Sequence, residues 1–423
     1  MAEFSEKVLS SKKLMPVYGF GLFSMGMIDL FVFLISWYAA RSLNFSATDV
    51  GLIISARGYV ALVFSIHCGV LMDRFGTRRV SLVFIGLVII GGAFFPFMSS
   101  FWALFLMQMT VGGAISIVWA GALTLSAQVS KGDAEFLGRF SFYARIGTSA
   151  APFIAGLVWD FAGGVIAAFA FGVFWAVLGF LCLWFAPEQQ TAEEIRAETD
   201  QSSYVKRPLT LPDLLPRVSD YLQCFALTAI PAVAFTTAAI FVRNSAYNLQ
   251  TSVYVNFVED LGFTATKLAI LFSASEIGAG IGSLFSGNAM RSFDPRGTLI
   301  ISTFVGLALI LSTPIFASIP NYFGWAIFIS LLLAQFIRGF IQGVSQPILF
   351  AVQARSVGRD LQGSVVGLRQ TVNRLGGVII PPAAGAAVDY WGYENGFAAT
   401  AVGLCVAWLF VVYLGFRTPA ISK

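Results

Sequence analysis

Long apolar runs alternate with short polar stretches along the whole chain. The runs fall at 15–38, 48–70, 80–98, 101–127, 140–160, 164–186, 226–258, 264–289, 298–317, 324–350, 364–388 and 395–417. A hydrocarbon layer ~30 Å thick takes about 20 helical residues to cross. Backbone that faces lipid must satisfy its own hydrogen bonds, so runs of this length are helices. The pattern predicts an all-α integral membrane protein with twelve transmembrane helices. One long polar segment, rich in Glu, Gln, Ser and Pro, interrupts the series at 188–217. It divides the chain into an N-terminal six-helix bundle (1–187), a linker (188–217) and a C-terminal six-helix bundle (218–423). The stretch 218–258 is too long for a simple span. Its first part, 218–231, is either an interfacial helix or the start of span seven.

Composition and charge sharpen this picture. Hydrophobic residues make up 57% of the chain and charged residues 11%, whereas a soluble domain carries about 25% charged. Of the 26 Lys and Arg, eighteen fall on the side that holds both termini, two (Arg41, Lys267) on the opposite side and six within spans. Short cytoplasmic loops are enriched in Lys and Arg. The bias therefore predicts cytoplasmic termini in a cell (plasma) membrane, and the net charge of +4 reflects topology, with no nucleic-acid partner implied. The single histidine and four scattered cysteines predict no metal site, no disulfide framework and no cofactor. The first run follows Lys7, Lys12 and Lys13 without a small-residue cleavage site, so it is expected to be a true helix. Trp37, Tyr38, Trp119 and Trp159, near span ends, read as interfacial anchors.

The two halves repeat each other. Leu43 to Asp49 aligns with Leu261 to Lys267 at a shift of 218, which also pairs Ser55-Ala56 with Ser273-Ala274 and Gly69 with Gly287. Arg145, Gly147, Pro152, Gly156 and Asp160 recur as Arg374, Gly376, Pro381, Gly385 and Asp389 at a shift of 229. An Arg, a Pro and an Asp in fixed spacing do not recur by apolar bias alone. Two six-helix repeats predict a pseudo-symmetric pair of bundles with a site between them near the bilayer midplane.

At this point a family is recognisable. Gly69 to Arg79, with Asp73, Arg74, Gly76 and Arg78, resembles the signature loop between helices two and three of the major facilitator superfamily. The resemblance implies a twelve-helix transporter in which Gly69 and Gly76 allow close approach and a tight turn. It also implies that Asp73, Arg74 and Arg78 form a charge network at the cytoplasmic gate. Gly147 to Gly156 is similar to the antiporter motif of the drug/proton branch, with Ala at two customary Gly positions. Helix four has Gln108 where that branch centres on an Arg, and Arg-Gly-Phe-Ile-Gln-Gly occurs instead in helix ten, at Arg338 to Gly343.

Ionisable residues at membrane depth cost roughly 2.5–3.5 kcal/mol on insertion scales and default to functional roles. Asp29 in helix one and Glu276 in helix eight are the proton-coupling candidates. Arg145, Arg369 and Arg374 are read as gate residues. Arg243 lies in a polar run with Asn244, Tyr247 and Gln250, which must face a wet cavity or the protein interior. A guanidinium there can grip a carboxylate or phosphate through two parallel hydrogen bonds. Arg243, Arg57, Arg338, Asn244, Tyr247 and Gln250 form the predicted substrate-binding set. The excess of arginines over acids points to an anionic solute.

The leading expectation is a secondary transporter of a small organic anion, coupled to protons by symport or antiport and working by alternating access. The expected partners are the small-molecule substrate, protons and the lipid bilayer, with the chain functional as a monomer. The alternative within transport is an exporter of drugs or amphipathic compounds. A membrane receptor or enzyme is the alternative of another class. The chain shows no nucleophile elbow, metal triad or phosphate loop, and no large extramembrane domain to transmit a signal.

Overall fold

The structure, a computed structural model, describes residues 11–130, 134–187, 222, 225–319, 325–356 and 362–418, with the side chains of 11–13, 63–71, 73, 74, 127, 130, 134, 135, 137, 138, 354, 362–364, 366 and 367 outside the description. The predicted linker at 188–217 also lies outside it.

Twelve helices follow the apolar runs. Helix α1 (Ser11–Trp37) ends in a π-helical turn at Tyr38–Ser42, and α2 (Ala47–Phe75) and α3 (Thr77–Phe94) follow. Helix α4 comprises Phe101–Met107, a π turn at Gln108–Gly112 and Gly113–Ser130. Helices α5 (Ala134–Phe161) and α6 (Gly164–Trp184) complete the first half. In the second half α7 is broken into Pro231–Gln250 and Val253–Asp260. Helix α8 is Ala265–Ser292, α9 is Pro295–Leu311 with a further turn at Thr313–Ala317, and α10 is Ala326–Arg355. A continuous stretch, Gln362–Arg417, turns at Gly392 to give α11 (362–391) and α12 (393–417). Of the segment proposed as an interfacial helix, the described residues 222, 225 and 226 are helical, and a 3-10 turn at Leu227–Ala229 follows directly before α7.

Local signals explain the boundaries. Ser46 caps α2 by accepting from the Asp49 amide, and its repeat mate Thr264 caps α8 by accepting from Lys267. Pro231 and Pro295 occupy first-turn positions, where the missing amide costs nothing. Gly392 has φ 76°, a left-handed conformation that an L side chain resists. Gly392→Ala is expected to lose about 1–2 kcal/mol of stability, read as a lower Tm.

By length and composition, seven described stretches suffice to cross a membrane, the last (Leu368–Arg417) spanning both α11 and α12. Helix α2 is outside that count because the side chains of 63–71 within it lie outside the description, and α5 and α7 fall short because they carry charged and polar groups. Helix α9 falls short because its 17 residues end at a break before Thr313.

Close backbone packing ties each half together. A Cβ on Gly147 would strike the carbonyl of Leu22, locking α5 to α1. In the second half, Gly278 and Gly282 of α8 lie against the backbone at Phe336 and Phe340 of α10, while Gly339 and Gly343 of α10 lie against Ser275 and Ala279 of α8. This is a reciprocal small-xxx-small interlock, which brings membrane helices close enough for dense van der Waals contact. Between halves, α2 packs on α11 and α5 on α8, with Gly51 against the Pro381 carbonyl and Gly156 against Ala265.

The pseudo-twofold axis can be placed from single contacts. Tyr247 Oη donates to Asp29 Oδ1 at 2.6 Å, and Arg41 Nη1 meets Glu259 Oε1 at 2.8 Å. Both pairs are separated by 218, the repeat shift. A residue touching its own repeat mate sits on the symmetry axis. Asp29 and Arg41 are twelve residues apart on α1, about 18 Å of helical rise, so the axis runs along α1 and α7. Helix α1 is consequently enclosed: Trp37 and Tyr38 are 2% and 5% exposed, and the Tyr38 hydroxyl donates to the carbonyls of Pro96 and Met98. These two aromatics are therefore core groups and not the interfacial anchors that their span-end position implied.

Candidate functional site

Polar side chains from eight helices converge at mid-depth between the halves. Helix α1 supplies Asp29, α2 Arg57, α4 Ser116 and α5 Arg145 with Thr148. Helix α7 brings Arg243, Asn244 and Tyr247, α8 Glu276, α10 Gln342 and Gln346, and α11 Arg369, Asn373 and Arg374. Asp29 is 7% exposed, accepts from Tyr247 and lies within Coulombic range of Arg57 and Glu276. Glu276 accepts from Thr148 Oγ1 at 3.3 Å and faces Arg145 Nη1 at 3.9 Å, both across the half boundary. Arg145 also donates to Gln346 Oε1 at 3.4 Å in α10. Its repeat mate Arg374 donates to Ser116 Oγ at 3.0 Å in α4. The two predicted gate arginines thus reach across the boundary in equivalent directions.

Arg243 donates to its neighbour Asn244 Oδ1 at 3.3 Å, and its Nε has no hydrogen-bond partner. Asn244 Nδ2 donates to Asn373 Oδ1 and so links α7 to α11. Gln342 Nε2 donates to the Arg243 carbonyl at 3.5 Å. The Arg369 guanidinium sits 3.9 Å over the Phe350 ring, a cation–π contact between α11 and α10.

Two predicted substrate residues occupy a different place. Arg338 is 1% exposed; it donates to Gln335 Oε1 and Ser275 Oγ, each at 2.9 Å, and to Gln250 Oε1. Arg338 and Gln250 therefore form a knot joining α7, α8 and α10 inside the second half. The knot lies beside the break in α7, where Ser252 leaves helical geometry and Ser36 Oγ donates to the Thr251 carbonyl at 2.8 Å from the other half.

Of the motif between α2 and α3, Gly69, Asp73 and Arg74 lie on α2 with their side chains outside the described residues. Gly76 turns the chain at φ 89°. Arg78 donates to the Trp184 carbonyl and lies 5.9 Å from that ring, tethering α3 to α6 within one half.

The sequence reading missed Gln342, Gln346, Asn373, Ser116 and Thr148. A signal for the first two was present: Gln335, Arg338, Gln342 and Gln346 recur at helical spacing along α10, a polar stripe that a span can only turn inward. The π turn at Gln108–Gly112 was not legible either. It bulges α4 beside Arg57, whose Cβ packs on Gly112, and such bulges concentrate at functional sites.

A lateral cavity of about 1120 Å³ opens beside the chamber between α5, α8 and α10. Arg145, Glu276, Ser149 and Ser273 line its polar part, and Phe142, Phe153, Ile277, Leu284 and Phe336 contribute to its apolar walls.

Comparison with known proteins agrees with this architecture. The family model described as Major Facilitator Superfamily matches residues 17–329 and 235–423. The chain is 25% identical over 323 residues to the uncharacterized MFS-type transporter YuxJ of Bacillus subtilis (strain 168), covering 75% of this chain and 76% of that one. Among solved structures it is similar to the nucleoside transporter NupG, with a TM-score of 0.73 and 15% identity over 95% of this chain and 98% of the other. It is also similar to a bacterial homologue of the human lysosomal transporter Spinster in an inward-facing, unoccupied conformation, with a TM-score of 0.65 and 15% identity over 97% of each chain. At these identities the solved structures speak to the fold alone. A twelve-helix pair of pseudo-symmetric bundles, a cluster of polar side chains between them and a family match along the chain lead to one conclusion: this protein belongs to the major facilitator superfamily of membrane transporters.

Proposed function

We propose that the protein moves a small organic anion across the cell membrane by alternating access, coupled to protons and working as a monomer. Bundles 1–187 and 218–423, joined by the linker 188–217, rock against each other about a line in the membrane plane, and both termini face the cytoplasm. The observation that carries the reading is charge: Arg57, Arg145, Arg243, Arg369 and Arg374 surround a chamber whose acids are Asp29 and Glu276. Unpaired guanidinium groups at membrane depth are costly, and an anionic ligand offsets that cost. Arg243, with a free Nε, binds the anion; Arg57 and the amides of Asn244, Gln342 and Gln346 orient it. Asp29 holds the proton. As a carboxylate it accepts from Tyr247 across the axis; once protonated it becomes a donor itself, and the link between halves changes character. Arg145, Arg369, Arg374 and the Gly69 to Arg78 loop serve the gate on the side of the termini.

A second reading, export of amphipathic compounds, is favoured by the lateral cavity, whose apolar walls meet an ion pair at its polar end. Uptake into proteoliposomes separates the two. Under the first reading, carboxylates compete and lipophilic cations or uncharged nucleosides do not. Arg243→Ala then weakens apparent affinity by roughly ten- to hundredfold, the equivalent of a charge-assisted hydrogen bond worth about 1.5–3 kcal/mol. Arg243→Lys recovers part of it, because lysine offers the charge without the planar fork. Unchanged affinity in Arg243→Ala, or competition by lipophilic cations alone, would overturn the anion reading.

A further inference from the structure

On the face remote from the termini, two carboxylates lie where the halves meet. Asp389, at the end of α11, accepts from the backbone amides of Ala47 (3.0 Å) and Thr48 (2.8 Å), the first residues of α2. Asp160, at the end of α5, accepts from the amide of Thr266 (2.7 Å), at the start of α8. Thr48 and Thr266 are repeat mates, and so are Asp160 and Asp389. The two contacts are symmetry copies of one device: in each, a carboxylate on one half caps a helix that belongs to the other.

The first amides of a helix have no partner of their own, and the partial positive charge of the helix start attracts an anion. In α2, Ser46 from the same half serves the Asp49 amide, while the amides of Ala47 and Thr48 are served only across the boundary. Beneath each cap the backbones meet closely. Gly385 lies against the carbonyl of Ala47 and Gly156 against that of Ala265, and the Thr266 hydroxyl donates to the Gly156 carbonyl at 3.2 Å. A side chain at either glycine would prise the interface apart. Near the axis, Arg41–Glu259 closes the same face.

We infer that Asp160 and Asp389 are a matched pair of positioning residues that latch this face shut and release when the halves rock apart. Neither touches the chamber. The latch sets the balance between the two access states and leaves substrate recognition to other residues. Both contacts must break together, because one rigid rocking about a line in the membrane plane, at right angles to the pseudo-twofold axis, separates α2 from α11 and α5 from α8 on this face.

The test needs no substrate, so its outcome is independent of the anion reading. Spin labels at Asn44→Cys and Asn395→Cys, exposed on this face in opposite halves, report its opening by pulsed electron resonance in a background without native cysteines. Hydrogen exchange of the full chain reports the capped amides. Asp160→Ala and Asp389→Ala remove the acceptor oxygens and leave the helix backbone unchanged. Each is expected to raise exchange at its own amides, at 266 or at 47 and 48, and to shift the closed-to-open ratio about fivefold, as loss of a helix cap does. The double variant should shift the ratio by about the product. Unchanged label distances in folded variants would overturn the latch. So would a fall in Tm with no change in distance, which would make both residues ordinary caps.

Discussion

Asp29→Asn is expected to abolish the response of transport to a pH gradient while leaving the protein folded. Asparagine keeps the shape of the side chain and one oxygen to accept from Tyr247, so the axial contact survives. What disappears is the ability to take up and release a proton. Reconstituted Asp29→Asn protein should therefore carry substrate down its own gradient at the rate measured without a proton gradient, and accumulate none against it. Tyr247→Phe tests the other half of the pair: the carboxyl still titrates, but it loses its donor at 2.6 Å. That variant should retain coupling with a displaced pH profile. Accumulation by Asp29→Asn equal to the parent would remove Asp29 from the proton path and leave Glu276, which faces Arg145 at 3.9 Å, as the acid to examine.

Gly339→Val is expected to be the most damaging single change outside the chamber. The new side chain would enter the Ser275 backbone, and the neighbouring contacts at Gly278, Gly282 and Gly343 leave α8 and α10 no room to slide. Overpacking of this kind costs about 3 kcal/mol or more. Because Ser275 also receives a hydrogen bond from Arg338, separating the helices would strain the Arg338–Gln250 knot as well. The measurement is a thermal unfolding curve and monodispersity in detergent. Gly287→Ala is the matched control: it lies on α8 with nothing within 4 Å of its added carbon, and alanine favours helix. A Tm for Gly339→Val within a degree or two of the Gly287→Ala value would show that the interlock does not hold the half together.

The spans and the repeat could be read from residues because both have one-dimensional signatures. Apolar run length sets the helices, and the pairing of Arg145, Pro152 and Asp160 with Arg374, Pro381 and Asp389 exposes the duplication. The chamber was partly legible for the same reason: Asp29, Arg243 and Tyr247 are polar where lipid would not tolerate them. Less legible was which polar residue faces the chamber and which faces a neighbouring helix. Arg338 and Arg243 look alike as mid-span arginines, yet Arg338 is held by Gln250, Ser275 and Gln335 inside one half, while the Arg243 guanidinium donates to its own neighbour Asn244. That distinction depends on helix rotation, which local spacing fixes only when a whole stripe is read, as along α10. The π turn at Tyr38–Ser42 and the break at Thr251–Ser252 carry no Pro or Gly-Gly signal and arise from packing, whereas the π turn at Gln108–Gly112 runs into the pair Gly112-Gly113. Trp37 shows the same limit, since a span-end aromatic belongs to the membrane surface only if its helix meets lipid.

The axial contacts carry a consequence for how the two halves can differ. In a dimer of identical bundles every residue on the twofold would confront its own copy: aspartate would face aspartate at position 29, and arginine would face arginine at position 41. Fusing the bundles into one chain lifted that restriction and let an acid meet a phenol, and a cation meet an anion, along a line where like would otherwise repel like. Exchanging the partners, with Asp29→Tyr and Tyr247→Asp together, should accordingly restore a function that either change alone destroys.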